Sequence, residues 1–160
     1  MASGARLYEP VLGRLLSGLR QAALDLCRLR PGMVVVDVGC GTGAFLTACA
    51  AAGCRVIGVD ASPEMLAEAR RRLGPGAVLL RGDAGALPLA AGSADVVTAL
   101  MLLHTLSPEE RGAALEEMSR VCADPGAVVV GDHGPGGPAG AAQWAARAAA
   151  RGIEALAGHG

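Results

Sequence analysis

The 160-residue sequence contains no lysine and no asparagine, and phenylalanine, tyrosine and tryptophan occur only once each. All 14 cations are arginines, and 15 acidic residues nearly balance them, which leaves a net charge of −1. A protein that binds nucleic acid through many phosphate contacts needs an excess of cations, and one that stacks on bases needs aromatic side chains. The composition therefore argues against both kinds of binder and predicts no nucleic-acid partner.

Long apolar segments are also missing. The longest strongly apolar stretch, Val96 to Leu103, is interrupted by Thr98 and is far shorter than the ~20 residues of a membrane-spanning helix. The first six residues lack the apolar segment of a secretory signal. We therefore expect no membrane span and a cytoplasmic location.

The five cysteines are odd in number and form no Cys-x-x-Cys pair. A disulfide framework or a zinc site is therefore not expected, and free thiols in a reducing compartment fit better. The sequence predicts no bound metal.

Helical and strand-like patterns alternate along the chain. Helical spacing of apolar residues and Ser-Pro or Gly boundaries predict helices over 7–29, 44–52, 62–73 and 107–122. Short apolar runs predict strands at Met33–Val38, Arg55–Val59, Ala77–Leu80, Asp95–Leu100 and Ala127–Val130. Strands that are apolar on both faces and alternate with helices are typical of a parallel sheet covered on both sides. The predicted fold is a doubly wound, Rossmann-like α/β sheet.

The length suits a single domain over 1–160, with three parts. Residues 1–30 form a helical cap, and residues 31–132 form a ligand-binding core. Residues 133–160 begin with a Gly/Pro-rich break and continue as an Ala-rich tail, for which we predict a helix over Ala139 to Leu156.

A glycine-rich turn, Gly39 to Gly43, follows the first predicted strand. Glycines at such a turn adopt positive φ and let a ligand approach the backbone closely. The pattern also matches a dinucleotide-binding fingerprint, so the turn alone does not identify the ligand. Asp37, two residues before the first glycine, would face a pyrophosphate unfavourably but suits a ligand with an ammonium or sulfonium group.

Two further acidic residues end the next two strands, on the edge of the sheet where α/β proteins bind ligands. Asp60 is placed to accept from ribose hydroxyls, and we expect a solvated carboxylate there that contributes little to stability. Asp83 is placed to accept from an adenine amino group, and the Ala84 N–H to donate to the ring. Three carboxylates at three consecutive strand ends predict a cationic nucleoside, S-adenosyl-L-methionine.

Four segments then resemble class I S-adenosylmethionine-dependent methyltransferases, in particular the branch with the ubiquinone/menaquinone-biosynthesis C-methyltransferases. These are VVDVGCGTG (35–43), VIGVDASPEML (56–66), RGDAGALPLAAGSADVV (81–97) and ALMLLHTL (99–106). The resemblance implies methyl transfer to a small-molecule acceptor by direct in-line displacement. It also implies a cofactor site formed by Asp37, Gly39, Cys40, Gly41, Gly43, Asp60, Ala61, Asp83, Ala84, Leu100 and Met101.

The chain departs from this family after its fifth predicted strand. Relatives usually continue to an antiparallel strand pair that completes the sheet, whereas here only 30 residues follow Val130. The sequence therefore predicts that the pair is missing, in either a fragment or a naturally short domain. The strand Ala127–Val130 would then expose an edge that favours self-association or is covered by the tail helix with Trp144.

No residue is an assured catalyst. His104, Asp132 and His133 follow strands on the ligand-binding edge and are candidates for orienting or deprotonating an acceptor. Packing or a backbone hydrogen bond is the preferred explanation for His104, and a turn is the preferred explanation for Asp132 and His133. Tyr8 either closes over the cofactor or packs against apolar residues.

Two other function classes stay open. A non-catalytic domain that binds the cofactor or a protein partner would fit the missing strands, and an NAD(P)-dependent reductase would fit the glycine turn alone. The sequence does not specify whether the methylated atom is carbon, nitrogen or oxygen.

Overall fold

The computed structural model describes residues 17–133, 143–149 and 152–157. Its helices are α1 (Ser17–Cys27), α2 (Ala44–Ala51), α3 (Pro63–Leu73) and α4 (Pro108–Val121), with short 3₁₀ turns at Gly74–Gly76 and Leu103–Thr105. Its strands are β1 (Val34–Val38), β2 (Arg55–Asp60), β3 (Val78–Arg81), β4 (Ala94–Leu100), β5 (Cys122–His133), β6 (Gln143–Ala149) and β7 (Gly152–Ala157).

The described strands form one sheet in the order β3-β2-β1-β4-β5-β6-β7. Strands β1 to β5 are parallel, and Val36 of β1 pairs with Ile57 of β2 on one side and Val97 of β4 on the other. The chain winds outward from β1 to β3 and then returns to place β4 on the opposite side of β1. Ligands bind at such a switch point, outside the carboxyl ends of the strands. The predicted doubly wound sheet is confirmed.

Alternate residues of β1 face two different cores, as the two-residue period of a strand requires. Val35 packs in a cluster with Cys27 of α1 and Cys49 of α2, whereas Val36 packs in a cluster with Met118 of α4. Helices therefore cover both faces, and this explains why the central strands are apolar throughout.

The serines that precede α3 and α4 cap these helices as the Ser-Pro-Glu pattern predicts. Ser62 Oγ accepts from the Met65 N–H at 3.2 Å. Ser107 and Glu110 form a reciprocal capping box, in which each side chain accepts from the other residue's N–H. These caps satisfy N–H groups that the first helical turn leaves without a partner.

The prediction for the C-terminal tail is wrong. Residues Gln143–Ala149 and Gly152–Ala157 form an antiparallel strand pair, where the sequence predicted a helix and no such pair. Strand β6 pairs with β5, and Trp144 lies opposite Asp132. Alanine has the highest helix propensity, but such propensities amount to less than about 1 kcal/mol per residue for ordinary residues, so pairing with the open edge of β5 overrides the local preference. That edge is closed, which removes the predicted route to self-association.

Two other predictions lie wholly or partly outside the described residues. Tyr8 and the first part of the predicted helix 7–29 precede Ser17, so the structure does not test them. Among the described helices, none has the length and hydropathy that crossing a bilayer requires. The predicted cytoplasmic location and the division into three parts stay predictions.

Candidate functional site

Two cavities lie side by side at the carboxyl ends of the strands. One cavity is lined by Ala61, Asp83 and Ala84; we call it the β3-side cavity, and its volume is about 450 Å³. The other is lined by Arg20 and Asp37; we call it the α1-side cavity, and its volume is about 350 Å³. Gly39, Asp60, Leu102 and Thr105 line both cavities and so mark the place where they meet. One elongated ligand can therefore occupy both cavities, with its middle part beside Asp60.

The glycine turn connects β1 to α2 and lines the α1-side cavity. Gly39 has φ +71°, and a Cβ on it would lie 2.9 Å from Leu102 Cδ1. Its N–H and that of Cys40 both donate to the Val59 carbonyl, at 2.8 and 3.1 Å. The turn is thus fixed to the end of β2, and only glycine combines this conformation with this close approach.

Asp60 fixes the same turn through hydrogen bonds, whereas the sequence predicted a solvated carboxylate that contributes little to stability. Its Oδ2 accepts from the Gly41 N–H at 2.8 Å, and its Oδ1 accepts from the Ser62 N–H at 2.9 Å. The partly buried carboxylate therefore joins the glycine turn to the start of α3. A carboxylate offers about four acceptor positions, so Asp60 retains capacity for ligand hydroxyls.

Asp37 is buried at the end of β1, with 3% of its surface exposed, and lines the α1-side cavity. The Thr98 hydroxyl on β4 donates to Asp37 Oδ1 at 2.6 Å. Burial raises the pKa of Asp37 to about 7, an effect that the Thr98 hydrogen bond opposes and the nearby Asp60 carboxylate increases. Such a carboxylate gains most from a cationic group placed in the cavity.

Asp83 begins the loop between β3 and β4 and lines the β3-side cavity together with Ala84 and Ala61. Asp83 Oδ1 accepts from the Gly85 N–H at 2.7 Å, which forms a tight turn. This turn places Asp83 and Ala84 at the wall of the β3-side cavity.

Helix α4 fixes two loops around the β3-side cavity. Glu117 accepts from the Leu87 N–H at 2.7 Å, and Arg120 donates to the Leu89 carbonyl at 2.8 Å, so both hold the loop that carries Asp83. Closer to the start of α4, Arg111 donates to the Leu103 carbonyl at 2.7 Å. The hydrogen bonds from Arg120 and from the Leu87 N–H lower the pKa of Glu117 to about 2, so it stays ionised.

His104 and Asp132 meet where β4 and β5 end. His104 Nδ1 lies 2.8 Å from Asp132 Oδ1, and the His104 N–H donates to Asp132 Oδ2 at 2.9 Å. The Asp132 side chain is 11% exposed and that of His104 32%. Residues on either side of His104, Leu102 and Thr105, line both cavities, whereas neither His104 nor Asp132 does. The pair therefore holds the Leu103–Thr105 turn against β5.

The structure brings most of the predicted site residues together. The α1-side cavity is lined by Asp37, Gly39, Cys40, Gly41, Asp60, Leu100 and Met101, and the β3-side cavity by Gly39, Asp60, Ala61, Asp83 and Ala84. Gly43 lines neither cavity and instead precedes α2. His133 ends β5, but its side chain is outside the described part of the structure.

Sequence reasoning missed several residues that line the cavities, and three of them matter most for the site. Arg20 of α1 lines the α1-side cavity, and Leu102 and Thr105 line both. It also missed Thr98, the partner of Asp37, although one polar residue inside the apolar run 96–103 was a usable signal. The sequence held no such signal for Arg20, because an arginine between apolar helical positions is usually exposed to solvent.

Cys40 sits in the glycine turn but is not activated as a nucleophile. Burial and the nearby Asp37 and Asp60 carboxylates raise the pKa of the Cys40 thiol, so it is protonated at neutral pH. Within residues 17–133, 143–149 and 152–157, no group of three or more His, Cys, Asp or Glu side chains is arranged to hold a metal ion.

Comparison with known proteins assigns a family to this chain. Residues 35–126 match the family described as methyltransferase domain. The chain is 41% identical over 113 residues to a demethylmenaquinone methyltransferase of Beutenbergia cavernae, covering 71% of this chain and 46% of that protein. The chain thus spans between about a third and three fifths of the length of the curated relatives that it matches.

Solved structures agree with this assignment. A chain from the complex between the Haloferax volcanii Trm112 methyltransferase activator and its methyltransferase is 28% identical, with a TM-score of 0.72, covering 82% of this chain and 57% of that one. A SAM dependent methyltransferase from Aquifex aeolicus is 25% identical, with a TM-score of 0.67, covering 80% of this chain and 70% of that one.

Proposed function

This chain belongs to the family of methyltransferase domains that use S-adenosyl-L-methionine, and we propose that it transfers the methyl group of this cofactor to a small-molecule acceptor by direct in-line displacement. The family membership confirms the resemblance found in the four sequence segments, and it confirms the predicted cofactor. The observation that carries the proposal is the pair of cavities that meet at Asp60.

The residues present fit the cofactor along its whole length. Its adenine amino group, ribose hydroxyls and ammonium group are all hydrogen-bond donors, and Asp83, Asp60 and Asp37 supply one acceptor carboxylate to each in the same order. Ala84 and Ala61 line the β3-side cavity beside the proposed adenine and ribose positions. Leu100 and Met101 line the α1-side cavity at the proposed methionine end.

The bound cofactor would supply an electrophilic methyl group on a positively charged sulfur. The protein then has to orient the reactants and exclude water, and these effects contribute most of the rate in such a displacement. Fixed backbone at the glycine turn and apolar side chains at Leu100 and Leu102 suit both tasks. Protonated Cys40 takes no covalent part.

We propose His104 as the base for an acceptor that must lose a proton. Its Nδ1 faces Asp132, so a proton from the acceptor would pass to Nε2. Asp132 would hold the orientation of the ring through its contact with Nδ1. An amine acceptor that is already deprotonated would not need this step.

The acceptor class follows from the relatives only as a hypothesis. Because the chain is similar to a demethylmenaquinone methyltransferase, quinols and phenols are the first acceptors to test. The near-neutral composition disfavours a nucleic-acid substrate. The similar Haloferax methyltransferase was solved in complex with an activator, which makes a protein partner a second hypothesis.

The test uses the full chain with cofactor carrying an isotopically labelled methyl group. Demethylmenaquinol, simple phenols and simple amines serve as separate acceptors, and mass spectrometry measures transfer of the label. We expect transfer to at least one quinol or phenol. His104→Gln should lower the rate of that transfer, while the affinity for the cofactor stays unchanged.

Other outcomes would favour the alternatives. Cofactor binding without label transfer to any acceptor class would favour a non-catalytic binding domain. Tight binding of NAD, with no binding of S-adenosylhomocysteine, would favour a reductase. The reductase is disfavoured because Asp37 lines the cavity at the glycine turn, where a pyrophosphate would face it unfavourably.

A further inference from the structure

The α1-side cavity contains a cation that the family motifs do not include. The ionisable side chains that line it are Asp37, Cys40, Asp60 and Arg20. Among the described residues of both cavities, Arg20 is the only lysine or arginine. The proposed methionine end of the site thus has an acidic and a basic side chain, whereas the adenine end is acidic.

Packing against the sheet fixes the position of Arg20. Leu19, Ala23 and Cys27 form the buried stripe of α1, at helical spacing. A Cβ on Gly131 of β5 would lie 2.7 Å from Leu19 Cδ1, so this glycine lets the helix approach the strand closely. Arg20 follows Leu19 directly and is partly buried at the cavity wall.

Four of the five N–H groups of the glycine turn donate to acceptors of the protein itself. The N–H groups of Gly39 and Cys40 donate to Val59, that of Gly41 donates to Asp60, and that of Gly43 donates to the Cys40 carbonyl at 2.9 Å. A carboxylate placed in the cavity without donors would carry a large desolvation cost. The Arg20 guanidinium offers donors of matching charge, since a guanidinium can bind a carboxylate through two parallel hydrogen bonds.

We propose that Arg20 binds the α-carboxylate of the cofactor's methionine end, while Asp37 binds the ammonium group of the same amino acid. This assignment rests on the proposed orientation of the cofactor, with adenine in the β3-side cavity. Arg20 then selects ligands that carry a complete amino-acid end over truncated nucleosides. Helix α1 becomes part of the binding site as well as a cover for the sheet.

The test compares two ligands that share the adenosine and the sulfur. S-Adenosylhomocysteine carries the amino-acid end, and 5′-methylthioadenosine lacks it. Calorimetric titration of the full chain should show that Arg20→Leu weakens S-adenosylhomocysteine binding roughly ten- to hundredfold, with binding of 5′-methylthioadenosine unchanged within about twofold. Arg20→Lys should fall between, because an ammonium keeps the charge but loses the bidentate geometry.

Arg30→Leu is the matched control, since this exposed arginine follows the same helix and lines neither cavity. It should leave both affinities unchanged. Equal weakening of both ligands by Arg20→Leu, or no effect on either, would overturn the role of Arg20 and leave the cofactor site standing. Failure of wild-type protein to bind either ligand would overturn the proposed site and the Arg20 role together.

Discussion

Asp60→Ala tests whether one carboxylate serves both the fold and the cofactor. The substitution removes the acceptor for the Gly41 N–H and the acceptor for the Ser62 N–H. A hydrogen bond to a charged group contributes about 1.5–3 kcal/mol, and water replaces part of that at this partly exposed site. We therefore expect a total loss of about 1.5–3 kcal/mol in the free energy of unfolding of the ligand-free protein, or roughly 3–12 °C in Tm.

The same variant should also bind S-adenosylhomocysteine about ten- to hundredfold more weakly. Thermal unfolding without ligand measures the first effect, and calorimetry below the unfolding range measures the second. Glu116→Ala, an exposed carboxylate on α4, is the control and should change neither. An Asp60→Ala protein with wild-type Tm would refute the structural role, and one with wild-type affinity would refute the ribose contact.

Three further substitutions test other parts of the site. Glu117→Gln should flatten the loss of stability between about pH 4.5 and 2, because the ionised Glu117 stabilises the fold above that range and protonation removes the contribution; acid titration followed by circular dichroism measures it. Asp37→Asn should remove a decline in the free energy of unfolding between about pH 3.8 and about 7. In this range the folded wild-type protein keeps a proton on Asp37 that the unfolded chain releases, so a rising pH favours unfolding. Urea unfolding at several pH values measures the decline, and a variant with an unchanged decline would contradict this. Gly39→Ala should destabilise the fold by about 1–3 kcal/mol, since alanine is strained at φ +71° and its Cβ would press on Leu102; a melting temperature equal to wild type would contradict this.

The parallel part of the sheet was predictable because its signals are local. Val34–Val38 is too short and β-branched for a helix, and Ser62 and Ser107 mark helix starts through contacts three residues away. The positions of Asp37, Asp60 and Asp83 then follow from topology, because parallel strands bring their carboxyl ends to the same edge.

The remaining features depend on contacts that are distant in sequence. Strands β6 and β7 form from an Ala-rich segment because β5 offers an open edge, and no pattern within that segment reports this. The hydrogen bonds of Asp60 to Gly41 and of Asp132 to His104 join residues 19 and 28 positions apart. Arg20 lines the α1-side cavity because α1 packs on the sheet, where Gly131 leaves room for Leu19.

Helix α4 has a consequence for redesign of this domain. Its Arg111 holds the turn that carries His104, and its Arg120 holds the loop that carries Asp83. An engineer who transplants a different Leu103–Thr105 turn onto this scaffold therefore has to keep Arg111 or exchange the helix with the turn. Exchange of the helix also releases the loop that carries Asp83, so a graft aimed at one lining segment of the β3-side cavity would alter a second one.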